Sequence, residues 1–450
     1  MQTTECSHCP PVASPPDVAI VGDIETFLSD MIGRMEPEPD RYRGPGRPRI
    51  LPALGLWAGL LVCVLRGFTS QLALWRLLSN GGLWYYPRFA ISDQAVYKRL
   101  ASEGTATLEK LFEQVRVLIS DRLVGVVNMK LAPFASEVMA LDETTLDQIA
   151  RTLPALREVL DGDVRLLPGK LAGLFDIRRQ QWRRVTFIPD AHQNEKVVAR
   201  GLVETLVPGA LILADLGYFG FPWFDWLTDR GYYWVSRLRA KTSYTVIHCF
   251  YEDGVTFDGI VWLGAYRADQ AAHAVRLVRF QVGTTVYRYL TNQTDPQRLS
   301  MHEIATLYAR RWDIELAVSL VKEQLKLHLL WSAKTVVIQQ QVWAVLIIAQ
   351  VLQALRLEIA QRAGVDPFEV SMPLLVEYLP RFAVDGRDPI MIFVEQGRAL
   401  RFIRPSSRTK IRAPTIPKEA MSLPPPDLVL VRTPRYAQRR CHRQTPCQED

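Results

Sequence analysis

Apolar residues recur at helical spacing over four early stretches: Leu51–Arg66, Gln71–Leu78, Ser92–Leu100 and Leu108–Arg122. Gly67, Gly81-Gly82 and Pro87 break them. The pattern predicts an all-helical region, with Ser92 as an N-cap. At Glu137 the pattern changes. Glu137–Thr145 reads as a strand, and Leu171–Ile177 and Arg184–Ile188 read as two more, joined in a hairpin around Arg178–Arg183. Asn194–Leu206 is helical, Ala210–Ala214 is a short buried strand bounded by Gly209 and Asp215, Phe221–Thr228 is helical and Tyr232–Arg237 is a strand. Three strands followed by alternating helix and strand predict an α/β fold, a mixed sheet covered by helices.

Short β-type runs follow at Ser243–Tyr251, Gly259–Leu263, Ala274–Phe280 and Thr284–Leu290, several alternating apolar with polar. They predict an all-β insertion between the last core strand and a helix over Tyr308–Lys322. Residues 336–382 return to helix. The expected organisation is a loose, Pro-rich, charged segment over 1–50, with a short helix at Ile24–Met35; a helical DNA-binding region over 51–130; a core over 131–335, with the insertion at about 239–300; a helical region over 336–400; and a loose basic tail over 401–450.

Composition is that of a globular protein, 48% hydrophobic and 22% charged, and 450 residues exceed what one compact core usually holds. The formal charge of +7 favours polyanion partners without specifying a fold. Six scattered cysteines, Cys6, Cys9, Cys63, Cys249, Cys441 and Cys447, are too sparse for a disulfide scaffold and match no standard zinc module. Met1–Ile20 lacks the basic start and apolar core of a signal peptide. Leu51–Leu65 is too short to span a bilayer, and Val342–Leu357 carries Gln350, Gln353 and Arg356. The expectation is a soluble cytoplasmic protein without a membrane segment.

Chemistry concentrates on the Tyr308–Lys322 helix. Tyr308, Arg311, Glu315 and Lys322 point within roughly 60° of one another at 3.6 residues per turn. One stripe thus carries a phenol, two cations and a carboxylate. Carboxylates hold divalent metals and cations hold phosphates, a layout for phosphodiester chemistry. An ordinary solvated face with a Glu315/Lys322 pair accounts for the same residues. Two acids adjoin apolar strands, Asp142 after Val138-Met-Ala-Leu141 and Asp215 after Leu211-Ile-Leu-Ala214. Such acids are costly to bury unpaired. Capping explains either one alone; neighbouring strands would bring both together, beside Glu315. Three carboxylates with few other ligands suit Mg²⁺ or Mn²⁺. Asp190 and Glu195, near the third strand, are alternative ligands. Gly44-Pro-Gly-Arg47-Pro-Arg49 suits either a minor groove or a basic linker. Ser92–Arg99, with Lys98 and Arg99, reads as a recognition helix or as a plain amphipathic one.

Over roughly residues 135–355 the chain resembles the DDE transposases of bacterial insertion sequences, in the branch whose third acid lies in a Tyr–Arg–Glu–Lys signature. Asp142 in LDETT, Asp215 in ILADLGYF, and Tyr308, Arg311, Glu315 and Lys322 carry the likeness. The resemblance implies a ribonuclease H-like fold with a β-rich insertion ahead of the Glu helix. It implies that Asp142, Asp215 and Glu315 hold two Mg²⁺, with Mn²⁺ as a substitute, and that Tyr308, Arg311 and Lys322 grip phosphates near the cut transposon end. Water would free a 3′-OH, which would then attack target DNA. It also implies transposon-end and target DNA as partners, a homodimer on paired ends, and a nucleoid-associated protein. Some relatives stack a flipped base on an insertion tryptophan. Trp262, with Trp234 behind it, is the candidate, against a role as core tryptophans. The rival functions are a nuclease of the same core without strand transfer and an inactive DNA-binding relative.

Overall fold

The computed structural model describes residues 20–36, 50–126, 130–146, 158, 168–265 and 269–436. Arg47 and Arg49 lie outside them, as do Cys6, Cys9, Cys441 and Cys447.

Five strands form the heart of the molecule: β1 (Val138–Thr145), β2 (Lys170–Asp176), β3 (Gln181–Ile188), β4 (Leu211–Ala214) and β5 (Tyr233–Arg237). Their order is β3-β2-β1-β4-β5, the first three antiparallel and β1, β4 and β5 mutually parallel. This is the ribonuclease H-like arrangement that the resemblance implied. The parallel pairs read as unbroken apolar runs, Val138–Leu141 and Leu211–Ala214, because both faces are covered. Helices α6 (Glu195–Val203) and α7 (Phe221–Asp229) are the crossovers after β3 and β4.

The expected insertion is present as β6 (Tyr244–Asp253), β7 (Thr256–Leu263), β8 (Val275–Val282) and β9 (Thr285–Thr291). It does not stand apart. β9 pairs antiparallel with β5, so one sheet of nine strands runs β3-β2-β1-β4-β5-β9-β8-β7-β6. A fully buried pair anchors it: Arg276 Nε and Nη2 donate to Asp258 Oδ1 and Oδ2 at 2.7 and 2.6 Å, and Nη1 donates to Leu299 O.

One face of the sheet packs on helices. The largest is α10 (Thr335–Ala363), which is long and apolar enough to cross a bilayer yet lies buried in protein. Its polar residues have structural work. Gln350 accepts from Trp182 N at 2.7 Å and donates to Trp182 O at 2.9 Å, satisfying backbone groups of the edge strand β3. Around α10 pack α2 (Ala53–Leu65), α3 (Gln71–Asn80), α4 (Asp93–Ser102) and α5 (Ala106–Arg122), and on the C-terminal side α11 (Met372–Val384) and α12 (Pro389–Glu395).

Where a short helix was expected at Ile24–Met35, α1 (Ile24–Gly33) buries Ile24, Phe27, Leu28, Met31 and Ile32, and Glu358 of α10 accepts from Val21 N at 2.7 Å. Two expectations need correction. The tail is not loose between 407 and 436. Arg408 pairs with Asp313 at 2.8 Å, Ala274 N donates to Leu430 O at 2.8 Å and Arg432 N donates to Ala272 O at 2.8 Å. Its prolines remove few needed donors, because it runs along the insertion's edge. Second, Tyr308–Lys322 is not one regular helix. α8 (Met301–Arg310), opened by a Ser300/Glu303 capping box, breaks at Arg311; α9 (Trp312–Ser319) follows and ends in a wide turn at Leu320–Gln324.

Candidate active site

The register of two parallel strands builds the site. Leu141 of β1 is level with Ala214 of β4. The next residue in each case is an acid, so Asp142 and Asp215 emerge side by side where the pairing of β1 with β4 ends, Asp142 within β1 and Asp215 just past β4. Each is anchored through one oxygen. Asp142 Oδ1 accepts from Glu143 N at 2.8 Å. Asp215 Oδ1 accepts from Gly217 N at 2.7 Å and caps the short turn Leu216–Tyr218. Capping and proximity are therefore not rivals for Asp215.

α9 packs across β1 and brings Glu315 to the pair. Burial pushes the Asp142 carboxyl up to about 6; Asp215 and Glu315 push the same way, against Glu143 N and the Arg311 guanidinium. The three acids thus share one electrostatic site, although they come from distant parts of the sequence.

The cations and the phenol close around it. Arg311 Nη2 donates to Glu315 Oε1 at 2.7 Å. Burial works to lower the Arg311 guanidinium, and Glu315, Tyr308 and Asp142 outweigh it, so its pKa is raised. Arg311 also lies 5.7 Å from the Tyr308 ring centre. Burial raises the Tyr308 phenol, opposed by Arg311 and Arg237. Lys322 Nζ donates to Thr145 O at 2.8 Å at the end of β1. The Glu315/Lys322 surface pair is thus absent: Glu315 is held by Arg311 and Lys322 by the strand.

Several expected contributors lie elsewhere. Trp234 is buried core, stacked on Phe224 at 4.1 Å, with Nε1 donating to Thr228 Oγ1 at 3.1 Å. Trp262 packs in a small cluster with Phe250 and Ile260, under the Arg432 guanidinium 4.4 Å from its ring centre. Lys98 is exposed on α4, and Arg99 pairs with Glu103 at 3.0 Å. Asp190 turns back on its own loop, accepting from His192 N at 2.8 Å.

Other residues escaped the sequence reading. Glu143 and Lys170 pair at 2.6 Å behind Asp142, both nearly buried. Tyr218, of the GYF run, is buried beside the acids. Next to that run opens a cleft of about 900 Å³, lined by Lys196, Arg200, Phe221, Arg239 and Lys241 among others. The signal was there: an Arg239-Ala-Lys241 turn after β5 and a helix opening with Glu195-Lys196.

Three carboxylates, each with one oxygen lacking a hydrogen-bond partner among the described residues, offer the hard oxygens that Mg²⁺ or Mn²⁺ takes. The raised Asp142 carboxyl is what a cation would relieve. Among the described residues, no group of three acids, histidines or cysteines is already drawn together around one point. Glu315 Oε1 is taken by Arg311 Nη2. The oxygen chemistry of the three acids fits a divalent cation.

Residues 170–351 match the family model of the transposase DDE domain. That stretch of the chain is similar to a transposase DDE domain. The match includes Asp215 and Glu315 and begins after Asp142. Dependence on a divalent metal is general in this family. Two curated relatives from Bacillus thuringiensis are transposases of insertion sequence elements: that of IS231F, from subspecies israelensis, is 24% identical over 156 residues, and that of IS231B, from subspecies berliner, 24% over 151. Each alignment covers 34% of this chain and 31% of the relative. The matched stretch therefore spans under a third of those proteins. A solved piggyBac transposase synaptic complex with hairpin DNA aligns over 80% of this chain and 76% of its own, at 8% identity and a TM-score of 0.38, too loose a likeness to support an argument.

Proposed function

We propose that this protein is a DNA transposase that cleaves the ends of an insertion sequence and joins the freed 3′-OH to target DNA. What supports the reading is the register that sets Asp142 beside Asp215, the charge that Glu315 exerts on Asp142, and the DDE-domain match that takes in Asp215 and Glu315. These acids would hold Mg²⁺, as two ions, with Mn²⁺ as a substitute. Bound there, the metal supplies a nucleophile at neutral pH and neutralises charge at the phosphate.

The chain's own residues do the rest. Arg311 is a positioned phosphate donor: while Nη2 holds Glu315, its buried Nε has no partner among the described residues and offers an N–H. Lys322, held at the end of β1, places a second cation on the same side. Tyr308 buttresses Arg311 from below. The basic cleft beside the GYF run gives the strand leaving the site a cationic wall. Lys98 and Arg99 on α4, together with Arg47 and Arg49, are assigned to DNA contacts away from the chemistry. Transposon-end DNA and target DNA are the partners, paired ends call for a homodimer, and the cytoplasmic nucleoid is the place of action. The domain limits at 50, 130, 335 and 400 are retained within this proposal.

The test is a joining assay with a pre-cut end carrying a 3′-OH, in Mg²⁺. A transposase joins it to target DNA, whereas a nuclease of the same core cuts but does not join. A chain that binds ends with no metal-dependent cutting, and whose binding ignores Glu315→Gln, is a DNA-binding relative.

A further inference from the structure

Glu195 opens α6, with Asn194 capping the helix ahead of it. It is far from Asp215 in sequence, yet both reach the same glycine. A Cβ placed on Gly217 would lie 2.9 Å from Asp215 Oδ1 and 2.9 Å from Glu195 Oε2. Two carboxylate oxygens therefore face one small space above a residue with no side chain. The backbone of Gly217 is ordinary, so it is this space, not a positive φ, that a larger residue would disturb.

A second observation comes from the next residue. Tyr218 is only 2% exposed, and its hydroxyl has no hydrogen-bond partner among the described residues. A buried polar atom left alone is destabilising. The carboxylates of Glu143, Asp142, Glu195 and Asp215 all lie within electrostatic reach of that hydroxyl. Lys170 answers Glu143 at 2.6 Å, and no ion pair joins Glu195 to a cation among the described residues. What is missing is a positive ligand with hydrogen-bonding waters.

We propose that Glu195, Asp215 and the Tyr218 hydroxyl form a further cation subsite, in which the two carboxylates take a hydrated divalent cation over Gly217 and the phenol hydrogen-bonds one of its waters. Such a cation accepts one or two protein carboxylates and keeps the rest of its water shell. The subsite shares Asp215 with the site proposed for phosphoryl transfer and rests on that reading. It adds a fourth acid next to Asp215, where an ion would offset the negative charge facing a strand in the basic cleft.

The test is Mn²⁺ titration of the metal-stripped full chain, with free Mn²⁺ read by electron paramagnetic resonance. Glu195→Gln should weaken the binding of one equivalent at least tenfold. Tyr218→Phe should weaken it about tenfold, the range for groups that support metal ligands, and Gly217→Ala should act in the same direction. Tyr218→Phe removes an oxygen with no hydrogen-bond partner among the described residues, so the metal-stripped variant should unfold at a temperature no lower than the wild type and loss of fold would not explain the result. Glu204→Gln, at the other end of α6, should titrate like the wild type. The subsite is overturned if Glu195→Gln binds Mn²⁺ as the wild type does, or if Glu204→Gln loses as much. If Asp142→Asn still weakens binding in that case, the active-site reading survives without the subsite. If Asp142→Asn, Asp215→Asn and Glu195→Gln all bind normally, both readings fall.

Discussion

Arg408 donates to Asp313 Oδ1 at 2.8 Å, so a residue of the C-terminal segment grips the helix that carries Glu315. Asp313 is fully buried and also accepts from Arg310 Nε at 2.7 Å and Gln180 Nε2 at 2.8 Å. The arrangement turns Arg310 and Arg311 to opposite sides, one into this network and the other onto the acids. Arg408→Ala should cost about 1–2 kcal/mol in urea unfolding, since Arg310 still answers Asp313. Asp313→Ala should cost more, about 3–5 kcal/mol, because it strands buried guanidiniums. No measurable cost for Arg408→Ala would mean that the tail does not bear on α9.

Glu315→Gln keeps the shape of the side chain and removes the charge that would hold a metal. Cleavage and joining should fall together by at least a hundredfold, while end binding, carried by basic residues, should persist. Glu323, which accepts from Ser319 Oγ at 2.8 Å in the turn beyond α9, provides the control. Glu323→Gln should leave both steps within about twofold. Wild-type cleavage by Glu315→Gln in Mg²⁺ would remove this acid from the site.

Arg311→Lys tests the geometry of the grip. A lysine cannot hold Glu315 with one N–H and offer a second in a fixed fork. End binding should weaken for all sequences alike, with the slope against log salt shallower by about one unit if one phosphate contact is lost. A loss confined to particular end sequences would instead indicate base readout.

The Arg276–Asp258 pair holds the insertion to the segment before α8 with no solvent to screen it. Asp258→Asn should destabilise by about 3–5 kcal/mol, while an apolar pair, Arg276→Met with Asp258→Leu, should lie within about 1–2 kcal/mol of the wild type. Urea midpoints of the three proteins decide this.

Cys63 lies in α2 with its thiol pushed up to about 12 by burial, against a smaller opposing pull from Arg66. The folded state favours the neutral thiol, so the thiolate is scarce until the pH approaches that value. At pH 8 a maleimide should leave Cys63 unlabelled in the native protein and label it in urea. Rapid native labelling would show that α2 opens.

Local patterns were enough to expose the core strands, the crossover helices, the insertion and the short helix before residue 36, because alternation and apolar runs are written in neighbouring residues. The same signals misread the stretch beyond Ser407, where polarity and proline dominate the composition and distant contacts with Asp313 and Ala272 decide the structure. The interruption at Arg311 and the wide turn at Leu320–Gln324 within the helix expected over Tyr308–Lys322 are not recorded by helical periodicity. Pairing across the fold was also invisible: nothing near Glu315 in the chain shows that it bonds to Arg311 and not to Lys322, or that Glu195 and Asp215 share the space over Gly217. Side-chain spacing within an element is a property of the local backbone, whereas the meeting of carboxylates from β1, β4, α6 and α9 depends on strand register and helix packing, which exist only once the chain has folded.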